Sequence, residues 1–319
     1  MGVYLVIAMR YFIIDHQHKG QPIAEALNLG GWVYNRRHPD IALIDHNINR
    51  LRYTDERLII ANYKAVGATI ISYPHGATGA WWMDSDLYSK TDGWAFANLV
   101  IGEGHKHVSS IIQSKTPHHV IGWSYCPIKQ FVAKSQVKRI LFAPIHSSIR
   151  SHMLRSEAKD TNKRVFEALV KIKDSYTITI RHLDPLEAIG IYKVPGITFR
   201  MGKPDGSYLE IDNSDLVIAE GTFLYLAVAR GKSVIGINQR IPIAPNTPIP
   251  GFKIKNWDKY GDYMAYPIDF DDGPLLELIA KASKDEQKKW KELFIGKQMN
   301  SKDLSDLLSK LRIDYLKGV

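Results

Sequence analysis

Short apolar, β-branched runs alternate along this chain with stretches whose apolar residues recur at helical spacing, and the alternation starts twice. Residues 3–9, 41–44, 68–73, 96–102 and 119–122 read as strands, with helices over 21–29, 54–65 and 105–114 between them. Strands separated by helices cannot close as tight hairpins. The chain must return to the same edge before each new strand, which produces a parallel sheet covered on both faces. The pattern restarts at Arg139, with strands over 139–143, 176–181, 197–199, 216–219 and 233–237 and helices over 163–173 and 223–229. The expected fold class is therefore α/β with two similar parallel-sheet domains, residues 1–133 and 134–319. The helical tail from Leu275 is expected to pack back on the first domain. A length of 319 residues fits this division at roughly 150 residues per domain. No close internal repeat links the halves.

Composition narrows the class further. At 45% hydrophobic and 24% charged, the chain can bury sizeable cores and is neither disordered nor fibrous. No apolar run approaches the ~18–20 residues of a membrane span. Residues 3–9 lack a preceding basic flank and read as a strand rather than a secretory leader. The single cysteine, Cys126, excludes an internal disulfide and a Cys-rich metal site, so a cytoplasmic location is expected. The formal charge of +9 is concentrated in residues 134–175. Such an excess suits a phosphorylated ligand, an anionic membrane face or nucleic acid, and equally a solvated helix face.

In open parallel sheets ligands bind beyond the carboxyl ends of the strands, so the loops there carry the functional reading. The first holds Asp15, His16, Gln17, His18, Lys19 and Gly20, and an imidazole suits proton transfer near neutral pH. A polar loop that happens to hold two histidines accounts for the same string. Pro74-His75-Gly76 follows the 68–73 run and places a second imidazole at a sheet edge, with glycine allowing close approach to the backbone. Gly102-Glu103-Gly104-His105 opens a helix after a strand and offers amides to an anion. His105 and His107 lack a third partner at metal spacing, and no metal site is expected.

In the second half, Pro144, His146, Ser147, Ser148 and Arg150 follow the 139–143 strand. Hydroxyls, amides and a guanidinium together suit phosphate oxygens. Arg181-His182-Leu183-Asp184-Pro185 ends the next strand. Glu220-Gly221-Thr222 joins the 216–219 strand to a helix, a good seat for a diphosphate. Walker, GxGxxG and GxSxG turns are all missing from the sequence.

Residues 213–222, the following helix and Arg230-Gly-Lys-Ser-Val-Ile-Gly236 resemble the donor-binding turn of GT-B glycosyltransferases. The loops at His75, Gly102 and Gly122-Trp-Ser, together with Ala143-Pro144 and Arg181–Pro185, are similar to the CDP-glycerol glycerophosphotransferase and UDP-N-acetylglucosamine 2-epimerase branches. The chain departs from that pattern in three places. Tyr225 and Leu226 stand where many relatives carry a ribose-binding acid, the His-Pro pair is split by two residues, and Thr222 alone replaces a run of serines.

The resemblance implies two Rossmann-like domains facing across a cleft, the donor in the second and the acceptor in the first. It implies metal-independent transfer of a sugar or sugar-like group from a nucleotide-activated donor to an acceptor hydroxyl, with no further cofactor. Donor contacts fall to Pro144, His146, Ser147, Ser148, Arg150, His182, Glu220, Gly221 and Thr222. The general base is expected at His75, or else at His18. The acceptor is open between glycan, lipid-linked and nucleic-acid hydroxyls, with peripheral membrane contact allowed. The alternatives are a nucleotide-sugar epimerase or hydrolase, a DNA- or polyanion-directed glycosyltransferase, and a non-catalytic binding module.

Overall fold

The computed structural model describes residues 8–14, 21–45, 54–73, 97–102, 116–145, 152–202, 207–220, 222–237, 264–265, 272–288 and 291–317. They form two compact units. One comprises the chain through Tyr125 and the segment from Glu292 onward, and the other takes most of residues 126–291.

The first unit contains β1 (Arg10–Ile14), α1 (Gln21–Leu29), β2 (Val33–Tyr34), β3 (Ile41–Asp45), α2 (Thr54–Ala65), β4 (Thr69–Tyr73), β5 (Leu99–Gly102) and β6 (His118–Val120). The strands form one parallel sheet in the order β2-β1-β3-β4-β5-β6. Alternate residues of each strand face opposite ways. Ile41 and Leu43 of β3 join Tyr11, Ile71 and Tyr73 on the face covered by α1, while Ala42 and Ile44 join Phe12 and Ile70 on the face covered by α2. A sheet buried on both sides needs uninterrupted apolar strands, and every residue of β4 and β5 is buried.

In the second unit, β7 (Arg139–Ala143) leads into α3 (His152–Ile172), β8 (Thr177–His182), β9 (Ile197–Met201) and α4 (Ser207–Asp212). These are followed by β10 (Leu216–Ala219), α5 (Thr222–Ala229), β11 (Ser233–Ile237), β12 (Met264–Ala265) and α6 (Asp272–Ala282). Its parallel sheet runs β12-β11-β10-β7-β8-β9. Val165, Phe166 and Leu169 of α3, with Leu275 and Ile279 of α6, pack on Ile140, Phe142, Ile180, Leu216 and Ile218. Among the described residues no helix is long and apolar enough to cross a membrane.

The last helix, α7 (Ser301–Lys317), belongs to the first unit. Leu304 and Leu308 complete the core beneath α1, and Trp32 Nε1 donates to Ser305 Oγ at 2.8 Å. Gly30 makes room there, since a Cβ at that position would stand 2.7 Å from Ser305 Oγ. Arg312 donates from Nη1 to the Gly67 carbonyl at 2.6 Å and approaches Asp40 at 3.7 Å. The segment leading to α7 is held by Trp123, whose N–H donates to Lys297 O at 2.7 Å and whose carbonyl accepts from Met299 N at 3.0 Å.

The units divide at Tyr125/Cys126 rather than at 133/134, because the intervening segment is bonded to the second unit. Lys129 N donates to Ala229 O at 2.8 Å, and Arg230 Nη1 donates to Pro127 O at 3.1 Å. Asp212 gathers this region. It pairs with Arg230 through both carboxylate oxygens and accepts from Lys129 Nζ at 3.0 Å. Hydrogen bonds from Arg230, then Lys129, hold the Asp212 carboxyl down at about 2 against the desolvation that opposes them. A carboxylate depressed in the folded state contributes stability that is complete above the unfolded pKa of about 4 and is lost as pH falls towards the folded value. Denaturant unfolding followed from neutral pH downward is expected to show stability falling between about pH 4 and 2. Asp212→Asn should remove that part of the slope and cost roughly 2 kcal/mol at neutral pH.

Candidate functional site

The strand order of the second unit locates the edge at which sheets of this kind bind ligands. From β7 the chain builds outward through β8 and β9, then returns to the other side of β7 and builds through β10, β11 and β12. In open parallel sheets the pair at which the connections reverse is where a crevice is expected at the carboxyl ends, and here that pair is β7 and β10. In the first unit the corresponding reversal falls between β1 and β3.

Register brings three of the expected donor residues into one row at that edge. Ala143 pairs with Ala219, so Pro144 and Glu220 are the next residues of neighbouring strands. Phe142 pairs with Ile180, which sets Pro144 level with His182. Glu220, Pro144 and His182 thus stand across β10, β7 and β8 at the strand spacing of about 4.8 Å. Thr222 begins α5, whose first turn presents main-chain amides beyond the same edge. His146, Ser147, Ser148, Arg150 and Gly221 lie outside the described residues, as do His18 and His75. The loop holding His18 follows β1, at the reversal of the first sheet, and that of His75 follows β4, one strand beyond β3.

The exits of β7 and β8 are held from behind. Asn162 of α3 is buried and clamps the exit of β7. Its Oδ1 accepts from Ile145 N at 2.8 Å, and its Nδ2 donates to Ile145 O at 2.9 Å. His182 Nδ1 lies 2.9 Å from the Asp184 carbonyl. A carbonyl only accepts, so Nδ1 carries the proton and Nε2 is the acceptor of the neutral ring. That ring can accept a hydrogen bond from a ligand hydroxyl. Arg181, one residue earlier, is buried against α4 and α5, with Nε 2.6 Å from Glu210 Oε2.

Tyr225, at the position where a ribose-binding acid was sought, is a core residue and presents no carboxylate. Among the described residues no group of three His, Cys, Asp or Glu side chains is placed to hold a metal ion. Asn162, Ser207 and Glu210 carry no sequence signal of their own. Each acts through a partner that is distant in the chain, and only the sheet brings them to the site.

No protein-family model matches the sequence, and no curated protein sequence matches it. The fold has solved counterparts. The glycosyltransferase SnogD from Streptomyces nogalater is 11% identical and superposes with a TM-score of 0.60 over 96% of this chain and 100% of its own. A UDP-glucosyltransferase from Polygonum tinctorium is 9% identical with a TM-score of 0.47, over 91% of this chain and 78% of its own. The likeness to SnogD establishes the fold as the two-domain Rossmann-like α/β architecture of GT-B type.

The Asn162 clamp has a direct test. Asn162→Ala leaves the amide and carbonyl of Ile145 without their partner, and equilibrium unfolding should show a loss of roughly 1–3 kcal/mol.

Proposed function

We propose that this protein transfers a sugar or sugar-like group from a nucleotide-activated donor to an acceptor hydroxyl. The observation that carries the reading is the row Glu220–Pro144–His182 at the β7/β10 reversal, with the first turn of α5 beyond it. The likeness in fold to SnogD, itself a glycosyltransferase, supports it. A departing nucleotide develops negative charge on its phosphate. Main-chain amides at a helix start, with nearby cations and hydroxyls, stabilise that charge as it forms. In this reading Gly221, Thr222, Ser147, Ser148 and Arg150 surround the diphosphate, with Pro144, His146, His182 and Glu220 beside them. No divalent metal is needed.

The acceptor hydroxyl must lose a proton as the new bond forms. His75 takes that proton in this proposal, with His18 the second candidate. Both follow strands of the first unit, so neither belongs to the donor turn. The CDP-glycerol glycerophosphotransferase-like and UDP-N-acetylglucosamine 2-epimerase-like loops point to a nucleoside diphosphate or monophosphate as the leaving group.

A thermal-shift screen against UDP, CDP, CMP, GDP and ADP, with and without EDTA, should show one nucleotide raising the melting temperature in both conditions. Gly221→Val and Thr222→Val each place a β-branched apolar group at the amides and should abolish most of that shift. Unchanged shifts in both folded variants would move the donor turn elsewhere, and a shift that vanishes in EDTA would overturn metal independence.

His75→Ala should lower turnover by about 10²–10⁴-fold while nucleotide binding persists, and His18→Ala in the same assay separates the two candidates. Parental activity in His75→Ala would remove His75 from the mechanism. Sugar released or epimerised without any acceptor would replace transfer by hydrolysis or epimerisation.

A further inference from the structure

Among the described residues, Arg181 is the cation most enclosed at the carboxyl edge of the second sheet. It precedes His182, the last residue of β8, with 6% of its surface exposed, and its fork meets three separate segments. Nε lies 2.6 Å from Glu210 Oε2 of α4, and Nη2 donates to Ser207 Oγ of the same helix at 2.9 Å. Cζ stands 5.0 Å from the centre of the Phe223 ring, in the first turn of α5. On a third side Gly202 admits the guanidinium, since a Cβ there would come within 2.5 Å of Cζ. Burying a guanidinium is costly, and an apolar side chain of similar volume would fill the same space more cheaply. What the cation adds is direction. A planar fork with a fixed carboxylate on one edge and an aromatic ring on its face has one orientation.

We propose that Arg181 is a positioning residue for the donor phosphates. Neutralised by Glu210 and seated in the gap at Gly202, it holds Phe223 and therefore the amino-terminal turn of α5, so that the amides of that turn are fixed where the leaving phosphate arrives. Its charge is matched within the protein, so it acts on the phosphate through the turn. The inference rests on the proposed donor site and adds to it a support that none of the phosphate-contacting residues supplies.

Calorimetric titration of the full-length protein and of Arg181→Lys, Glu210→Gln and Ser207→Ala with UDP, CDP and GDP tests it, alongside the ligand-free melting temperature of each variant. Lysine keeps the charge and loses the fork, so Arg181→Lys should weaken nucleotide binding by about tenfold. Glu210→Gln should weaken binding as well, because the guanidinium is no longer held against Phe223. Ser207→Ala, the mildest change, keeps the measurement possible if the other two fail to fold, and should weaken binding in the same direction.

Tighter binding in Glu210→Gln would mean that the released cation contacts phosphate itself, and would overturn the positioning role. Lower melting temperatures with parental affinities would reduce Arg181 to a structural ion pair and leave the donor site standing. A parent that binds none of the three nucleotides would overturn the donor site and this inference together.

Discussion

The pairing of β7 with β10 depends on one carboxylate. These strands are neighbours in the sheet, yet β8, β9 and α4 intervene in the chain, so no turn sets their register. Asp215, just before β10, supplies what the turn would have done. Its Oδ2 accepts from the amides of Lys138 and Arg139 at 3.2 and 2.9 Å, its Oδ1 accepts from Arg139 Nη2 at 2.9 Å, and its own N–H donates to Arg139 O. Burial alone would raise the Asp215 pKa, but the Arg139 and Lys138 hydrogen bonds outweigh it and keep the acid ionised. A slip of one residue would send every side chain of β10 to the opposite face. The first sheet repeats the device where its own connections reverse. Asp40 accepts from Arg10 N at 2.8 Å and from Arg10 Nη2 at 3.0 Å, and its N–H donates to Arg10 O. In both sheets the strand pair locked at its amino end is the pair that opens at its carboxyl end.

The short helix α4 joins two polar systems of the second unit. Ser207 and Glu210 face Arg181, while Asp212 faces Arg230 and Lys129. Lys232 Nζ closes the helix by donating to the carbonyls of Asp212 and Ser214 at 2.7 and 2.9 Å. Six residues with few apolar side chains could not hold a helix unaided, because nucleation is unfavourable over so short a span. Its ion pairs and the buried Ile211 hold it in place.

How much was legible in the sequence follows from where each signal resides. β7, β10 and β11 are unbroken apolar runs bounded by charge or glycine, and a buried parallel strand has to be written that way. β2 was not legible, because two exposed residues on a sheet edge carry no apolar pattern. Neither was α4, which lacks an apolar stripe, and α3 begins eleven residues before its apolar periodicity at 163 makes it visible. The first strand starts at Arg10, whose charge reads as an interruption until Asp40 is placed beside it. Gly122 was read as part of a functional string, yet its backbone has φ +91° and a Cβ there would meet the Lys297 carbonyl at 2.5 Å. It serves a close passage of two chain segments, a requirement set by residues 175 positions away.

That passage has a consequence for how the molecule is made. The ribosome delivers residues in order, and domains commonly fold as they emerge. Here the earlier-made sheet lacks Leu304 and Leu308, which cover the face it shares with α1, until α7 has been synthesised. The second unit has all of its strands and α6 well before then. Birth order and completion order are therefore reversed. Where each unit folds as it emerges, the older half waits with an apolar face exposed while the younger half closes, and a chain cut short after α6 would lack the helix that completes the first core.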